Sequence, residues 1–127
     1  MANPIPRSLT SRERAFLDAL VEPEFPGAVE LRRQAAAVEV SGGCACGCAS
    51  VDFVLPAVRP GMRIITEAIH RDGTGEVILF TRHAHTGQEV LAGIECFWYE
   101  GDSMTQLPPP SEFEIRAYDP DRRGVRD

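Results

Sequence analysis

The first third of the chain repeats its apolar positions with the period of an α-helix. Thr10 and Glu13 stand at capping-box spacing, in which each side chain accepts a hydrogen bond from the backbone N–H of the other residue. The apolar residues that follow at helical spacing are Phe16, Leu17, Leu20 and Val21. They predict a helix that starts at Thr10 and ends before Pro23, because proline disfavours helical geometry in the residue before it. A second, shorter helix is predicted over 27–34, after Pro26.

From Ala36 onward the apolar positions alternate, which is typical of β-strands. Short turn sequences that contain glycine separate most of the alternating stretches. The predicted strands cover 38–40, 51–55, 64–70, 77–83 and 90–99. Segment 112–118 also alternates, so it is predicted either to form a sixth strand or to cover one face of the sheet.

These elements predict an α+β fold, in which two N-terminal helices pack on a mostly antiparallel meander of four to six strands. The chain has 127 residues, and 43% of them are apolar, which is enough to form one core. We therefore predict a single domain over 1–127. Its ends, 1–8 and 119–127, are predicted to be flexible because they are rich in proline or charge.

A tight turn at Thr86-Gly87 sets a register for the last two predicted strands, if it is a two-residue turn. The predicted pairs are Val77 with Cys96, Leu79 with Ile94, Thr81 with Ala92 and His83 with Val90. This face is almost wholly apolar, so we expect the two helices to pack on it. The same face is predicted to include Ile64, Thr66, Ala68 and Trp98.

The opposite face of the predicted sheet mixes apolar and charged residues. Its apolar members are Ile65, Ile78, Phe80, Leu91, Phe97 and Tyr99. The face is too apolar for water alone and too charged for a buried layer. We interpret Phe80, Leu91, Phe97 and Tyr99 as an interaction surface for another protein or for a second copy of the chain. Gly93 lies opposite Phe80 in this register, so that the ring can lie over bare backbone.

The charge of the chain narrows the classes of partner and of chemistry. The net charge of −6 and the pI near 5.0 disfavour binding to nucleic acid and to anionic membranes. All thirteen basic residues are arginine, which excludes Schiff-base lysines, phosphate-loop lysines and serine-lysine dyads. No apolar run approaches the roughly 18 residues of a membrane helix, and the first residues resemble no secretion signal. We therefore expect a soluble cytoplasmic protein.

Three cysteines, Cys44, Cys46 and Cys48, alternate in a loop between two predicted strands. A reducing cytoplasm favours thiols or metal ligands over disulfides. If the loop curls, the three sulfurs converge as ligands for zinc, which binds thiolates at about 2.3 Å. Curling requires flexible backbone, which is supplied by Gly42, Gly43 and Gly47.

Other interpretations of the cysteines stay open. The simplest is three free thiols in a glycine-rich turn. A disulfide between Cys44 and Cys48 fits a tight turn but not a reducing compartment. Thiol redox catalysis is disfavoured because there is no C-x-x-C pair, and the nearest arginines in the sequence, Arg33 and Arg59, lie eleven positions away.

Two histidines form a second candidate for metal binding. His83 and His85 alternate like ligands on one strand face, but no third ligand is visible beside them. Cys96 is predicted to lie about 20 Å along the hairpin from His83, so these two cannot share a site. We interpret the histidines as residues at the rim of a turn.

Several segments resemble one family of small uncharacterised bacterial proteins. The segments are LTSRERAFLDAL, FPGAVELRRQ, CACGCASVDF and GIECFWYEG, between about Leu9 and Pro110. The resemblance implies one small domain, and it implies no substrate, cofactor or catalytic residue.

Three functions of different classes follow. The first is a non-enzymatic protein-binding or regulatory module that uses the mixed sheet face. The second is a zinc-binding domain with a structural metal at the cysteine loop. The third is an enzyme whose site is assembled from residues distant in sequence.

Overall fold

A computed structural model of the chain describes residues 5–99 and 105–121. Helix α1 spans Ser11–Leu20 and helix α2 spans Ala28–Ala35. The strands are β1 Val40–Gly43, β2 Val51–Phe53, β3 Arg63–His70, β4 Gly75–His83, β5 Glu89–Trp98 and β6 Phe113–Ala117, with a 3-10 turn over Pro110–Glu112. The predicted α+β class with two N-terminal helices is confirmed. No described helix is long and apolar enough to cross a membrane.

Helix α1 begins at the predicted capping box. The Glu13 N–H donates to Thr10 Oγ1 at 3.2 Å, and the Thr10 N–H donates to Glu13 Oε1 at 2.9 Å. The Arg7 guanidinium donates to both carboxylate oxygens of Glu13, at 2.8 and 3.0 Å, and the Arg7 backbone pairs with Val40. Arg7 is thus bonded to both α1 and β1, although it belongs to the segment predicted to be flexible. Residues 1–4 and 122–127 of the predicted flexible ends lie outside the described residues.

The sheet has the strand order β1-β2-β5-β4-β3-β6, and all neighbours are antiparallel. Strands β3, β4 and β5 form the predicted meander. Strand β2 departs from it because it pairs with β5 and not with β3, after which segment 54–62 carries the chain to the other side of β4. The alternating segment 112–118 forms strand β6 beside β3, and it does not cover a face of the sheet.

The turn between β4 and β5 corrects the predicted register. Gly87 has a φ of 96°, and its N–H donates to Ala84 O at 2.8 Å, so the loop has three residues, 85–87, and not two. The extra residue pairs Thr81 with Leu91 and His83 with Glu89, and a bulge after Phe80 restores the predicted register beyond it. The predicted pairs of Thr81 with Ala92 and of His83 with Val90 are therefore wrong, whereas Val77 with Cys96 and Leu79 with Ile94 are confirmed.

This shift moves Leu91 away from the predicted interaction surface. Leu91 shares the face of its partner Thr81, is 2% exposed and belongs to the core beneath the helices. A second bulge in β3 has the same effect, because Ile65 enters the core while Ile64 pairs with Phe80 on the other face. The predicted faces of Leu91, Ile64 and Ile65 are therefore wrong.

The core lies between the helices and one face of the sheet. Buried members from both helices and from the sheet include Leu17, Leu20, Leu31, Val77, Leu79 and Ile94, and Trp98 packs partly buried against them. The other face, which we call the open face, carries Ile64, Ile78, Phe80, Phe97 and Tyr99. The helices thus cover one side of the sheet, and the open face retains its mixed character.

Candidate metal centre

The loop of the β1–β2 hairpin, 44–50, brings the three predicted cysteine ligands together. Gly47 has a φ of 86°, a left-handed value that glycine adopts without strain, and its N–H donates to Cys44 O at 3.1 Å. The N–H of Cys46 donates to Cys44 Sγ, and the N–H of Cys48 donates to Cys46 Sγ, both at 3.4 Å. As a result, the three Sγ atoms all lie within 4.8 Å of one another.

The curling of the loop depends on one of the three glycines that the sequence suggested. Gly42 and Gly43 belong to strand β1, and neither has a positive φ. The turn over 44–47, which the Gly47 N–H closes, brings Cys48 back toward Cys44. The predicted convergence of the sulfurs is confirmed, and among the three glycines Gly47 is the one with a left-handed φ.

The spacing of the sulfur atoms fits a thiophilic metal ion. Tetrahedral zinc with Zn–S bonds of about 2.3 Å holds its sulfurs about 3.8 Å apart, which small side-chain rotations would reach from the present arrangement. Cys44 and Cys46 are exposed and Cys48 is half-buried, so the triad opens to solvent on one side. Among residues 5–99 and 105–121 it is the one such group of three Cys, His or acidic ligands, and it includes neither His83 nor His85.

Ser50 hydrogen-bonds to the half-buried thiol. Its Oγ accepts a hydrogen bond from the Cys96 N–H at 2.8 Å and lies 3.3 Å from Cys48 Sγ. Because the Cys96 N–H occupies one lone pair of this oxygen, the hydroxyl proton can point at a Cys48 thiolate. Burial opposes ionisation of Cys48, but hydrogen bonds from the Ser50 side chain and backbone and from the other two thiols lower its pKa to about 7. In contrast, the hydrogen bond with Cys44 raises the pKa of Cys46.

The remaining cysteine, Cys96, lies beside this loop. The sequence analysis did not predict this proximity. The pairing of Val51 with Ile94 places β5 against the end of the cysteine loop, and all four cysteines line one cavity of about 400 Å³. Burial raises the pKa of Cys96 to about 12, and the nearby Cys48 charge adds to the effect. Cys96 is therefore a neutral thiol at neutral pH, which packs against the core and stands outside the triad.

A second cavity, of about 530 Å³, lies on the other side of Cys44 and Cys48. Arg7 and Arg12 line it, although both are far from the cysteines in the sequence. Arg7 forms an ion pair with Glu13, and Arg12 donates to the Leu107 carbonyl at 3.1 Å. The structure thus brings two arginines to the cavity that Cys44 and Cys48 also line.

The open face carries three of the four residues that were predicted as an interaction surface. The Phe80 ring lies over Gly93 as predicted, while Phe97 is 37% exposed and Tyr99 is 57% exposed. A hollow of about 280 Å³ beside them is lined by Ile64, Glu76, Ile78, Phe97, Tyr99 and Tyr118. The one carboxylate that lines this hollow is Glu76, and it accepts a hydrogen bond from the Tyr99 hydroxyl.

No protein-family model, no curated protein and no solved structure matches this chain. The resemblance to a bacterial family of small proteins therefore stays a prediction. Inferences about function therefore rest on the geometry of the cysteine loop and of the sheet.

Proposed function

We propose that this chain is a small non-enzymatic binding module that holds one zinc ion on the thiolates of Cys44, Cys46 and Cys48. The observation that carries the proposal is the convergence of the three Sγ atoms within 4.8 Å of one another. Thiolates select ions such as zinc or Cu(I), and zinc prefers tetrahedral coordination, for which three converging sulfurs supply three of the four ligands.

The proposed site has three protein ligands and one position open to solvent. Cys44 and Cys46 are exposed, so water or an external ligand can complete the coordination. Bound zinc would join the two ends of the β1–β2 loop and thereby stabilise the hairpin. A reducing compartment, such as the cytoplasm, would keep the thiols available for metal.

The proposal is tested by metal analysis and competition against a chromophoric chelator. Protein purified under reducing conditions is expected to bind about one equivalent of zinc. Replacing Cys44, Cys46 or Cys48 with serine is expected to weaken binding at least tenfold, whereas Cys96→Ser serves as the matched control and keeps the affinity. The control leaves in place the Cys96 backbone N–H, which donates to Ser50 Oγ at 2.8 Å.

Two results would contradict zinc binding by the triad. One is protein without metal whose three loop thiols all titrate freely with Ellman's reagent. The other is an equal loss of affinity in Cys96→Ser and in the triad variants, which would place the ion elsewhere.

A second candidate function is protein binding through the open face. It is favoured by the exposure of Phe97 and Tyr99, because aromatic residues of this kind dominate protein interfaces. The net charge of −6 favours a neutral or basic partner. Phe97→Asp is expected to leave the fold intact and to abolish binding, since Phe97 lies outside the helix-side core. Unchanged binding by the folded variant would reject this surface.

A further inference from the structure

The outer edge of strand β6 has no partner strand among the described residues. Strand β6 pairs with β3 on one side, where the Tyr118 N–H donates to Ile65 O and the Arg71 N–H donates to Glu112 O, both at 3.0 Å. Hydrogen bonding alternates along an antiparallel ladder, so the even-numbered residues of β6 bond to β3. The groups that point away from the sheet and stay available are therefore the N–H and C=O of Ile115 and Ala117 and the C=O of Phe113, since the Phe113 N–H donates to Pro110 O.

The sequence of β6 is self-complementary about its central residue. Two antiparallel copies centred on Ile115 place Phe113 opposite Ala117 of the second copy, and Ile115 opposite itself. The two Ile115 residues then form a hydrogen-bonded pair, and the Ala117 N–H of each copy donates to the Phe113 C=O of the other. Glu114 then lies opposite Arg116 of the second copy in a non-hydrogen-bonded pair, where the Cα atoms approach to about 4.5 Å and side chains are closest.

Other registers of the same pairing are less favourable. A shift of one residue places each residue with outward-pointing N–H and C=O groups opposite a residue of the second copy whose groups point toward β3. The two strands then cannot form a regular ladder. Shifts by two residues bring either Glu114 opposite its own copy or Arg116 opposite its own copy, and directly opposed like charges destabilise a strand pair. Hydrogen bonding and charge therefore agree on one arrangement.

We propose that β6 pairs with β6 of a second copy of this chain, about a twofold axis at Ile115, so that one sheet continues through both copies. β6 has no proline, lysine or bulge over its five residues, and its two charged side chains, Glu114 and Arg116, are complementary in the proposed pairing. The opposite edge of the sheet is partly covered, because Arg7 pairs with Val40 of β1. The β6 edge is thus the edge of the sheet that can accept a second strand. This inference is independent of the proposed zinc site.

Amide hydrogen exchange followed by NMR tests the pairing with an internal control. The amides of Ile115 and Ala117 are expected to exchange slowly at millimolar protein and rapidly at micromolar protein. The amides of Glu114 and Arg116 bond to β3 and are expected to be protected at both concentrations. Concentration-independent exchange at Ile115 and Ala117, together with a monomer in sedimentation at millimolar protein, would overturn the proposal.

Two variants separate the edge from other modes of association. Glu114→Arg opposes two arginines across the axis and is expected to weaken dimerisation about tenfold or more. The fold should tolerate it because the Glu114 side chain is 66% exposed and its ion pair with Arg116 is long, at 3.8 Å, so little stabilisation is lost. Asp18→Arg, on the exposed side of α1, makes the same change in net charge and is expected to leave the dimer intact.

Ala117→Pro provides a second test that does not alter charge. The Ala117 N–H points away from β3, so proline removes a donor of the proposed interface while sparing the ladder with β3. Its expected effect is loss of the dimer with the monomer still folded. A dimer that survives both Glu114→Arg and Ala117→Pro would use a different surface, and the β6 pairing would be wrong.

Discussion

Replacing Gly93 with alanine tests how closely β2 approaches β5 beside the cysteine loop. A Cβ atom at this position would lie 2.6 Å from the Val51 carbonyl oxygen and 3.0 Å from Cζ of Phe80. The Phe80 ring can rotate away, because it lies at the open face. The Val51 carbonyl belongs to the backbone of β2 and can move only if β2 separates from β5.

The size of the effect follows from these distances. An ordinary contact begins at 3.4 Å, so β2 would have to shift by about 0.8 Å. Overpacking of this kind costs about 1–3 kcal/mol, and each weakened ladder hydrogen bond adds about 1 kcal/mol. Alanine also restricts the unfolded chain more than glycine does, which offsets somewhat less than about 1 kcal/mol of this loss of stability. We expect the free energy of unfolding to fall by about 2–4 kcal/mol, which lowers the melting temperature by roughly 10 °C.

Urea denaturation followed by the fluorescence of Trp98, the single tryptophan, measures this change. Gly42→Ala is the matched control, because a Cβ there has no atom within 4 Å. The control is expected to stay within about 0.5 kcal/mol of the unmodified protein. Equal stability of Gly93→Ala and Gly42→Ala would refute the close approach of β2 to β5. The zinc affinity of Gly93→Ala is expected to fall as well, since β2 positions one end of the loop.

Three further predictions concern the helices, the charge network and the two faces of the sheet. Thr10→Ala removes the capping box and is expected to cost about 1 kcal/mol of unfolding free energy in urea. The hydrogen bond to Glu112 raises the pKa of His70, so its stabilisation is present below its unfolded pKa and is lost as the pH rises through the folded pKa. His70→Gln should therefore cost more near pH 6 than near pH 9, and an equal cost at both would refute this coupling. Circular dichroism is expected to show Leu91→Asp unfolded and Phe97→Asp folded, because only Leu91 is buried beneath the helices. The reverse result would contradict the observed register.

The elements set by local sequence were predictable, and the pairings between distant elements were not. The capping box at Thr10 and the alternation in β3, β4 and β5 depend on neighbouring residues, and the structure confirms both. The face of Leu91 depends on a three-residue loop and a bulge, and a change of one residue in either moves a side chain to the other face. Alternation in the sequence contains no signal for a bulge.

The candidate site shows the same division. The alternating cysteines and Gly47 are neighbours in the sequence, so the sequence indicated that the sulfurs converge if the loop curls, and they do. The proximity of Cys96 to Ser50 and the loop depends on the pairing of β2 with β5, in which Val51 pairs with Ile94 and Asp52 with Gly93, 43 and 41 residues apart in the sequence. No periodicity in the sequence selects β5 over β3 as the neighbour of β2.

Zinc X-ray absorption on the reduced, zinc-loaded protein tests the central claim most directly, because it counts the sulfur atoms around the ion. The triad of Cys44, Cys46 and Cys48 predicts three sulfurs at about 2.3 Å and one oxygen or nitrogen at about 2.0–2.2 Å. The Cys96→Ser variant should give the same spectrum. A shell without sulfur, or a four-sulfur shell that loses one sulfur in Cys96→Ser, would contradict a three-thiolate site with an open fourth position.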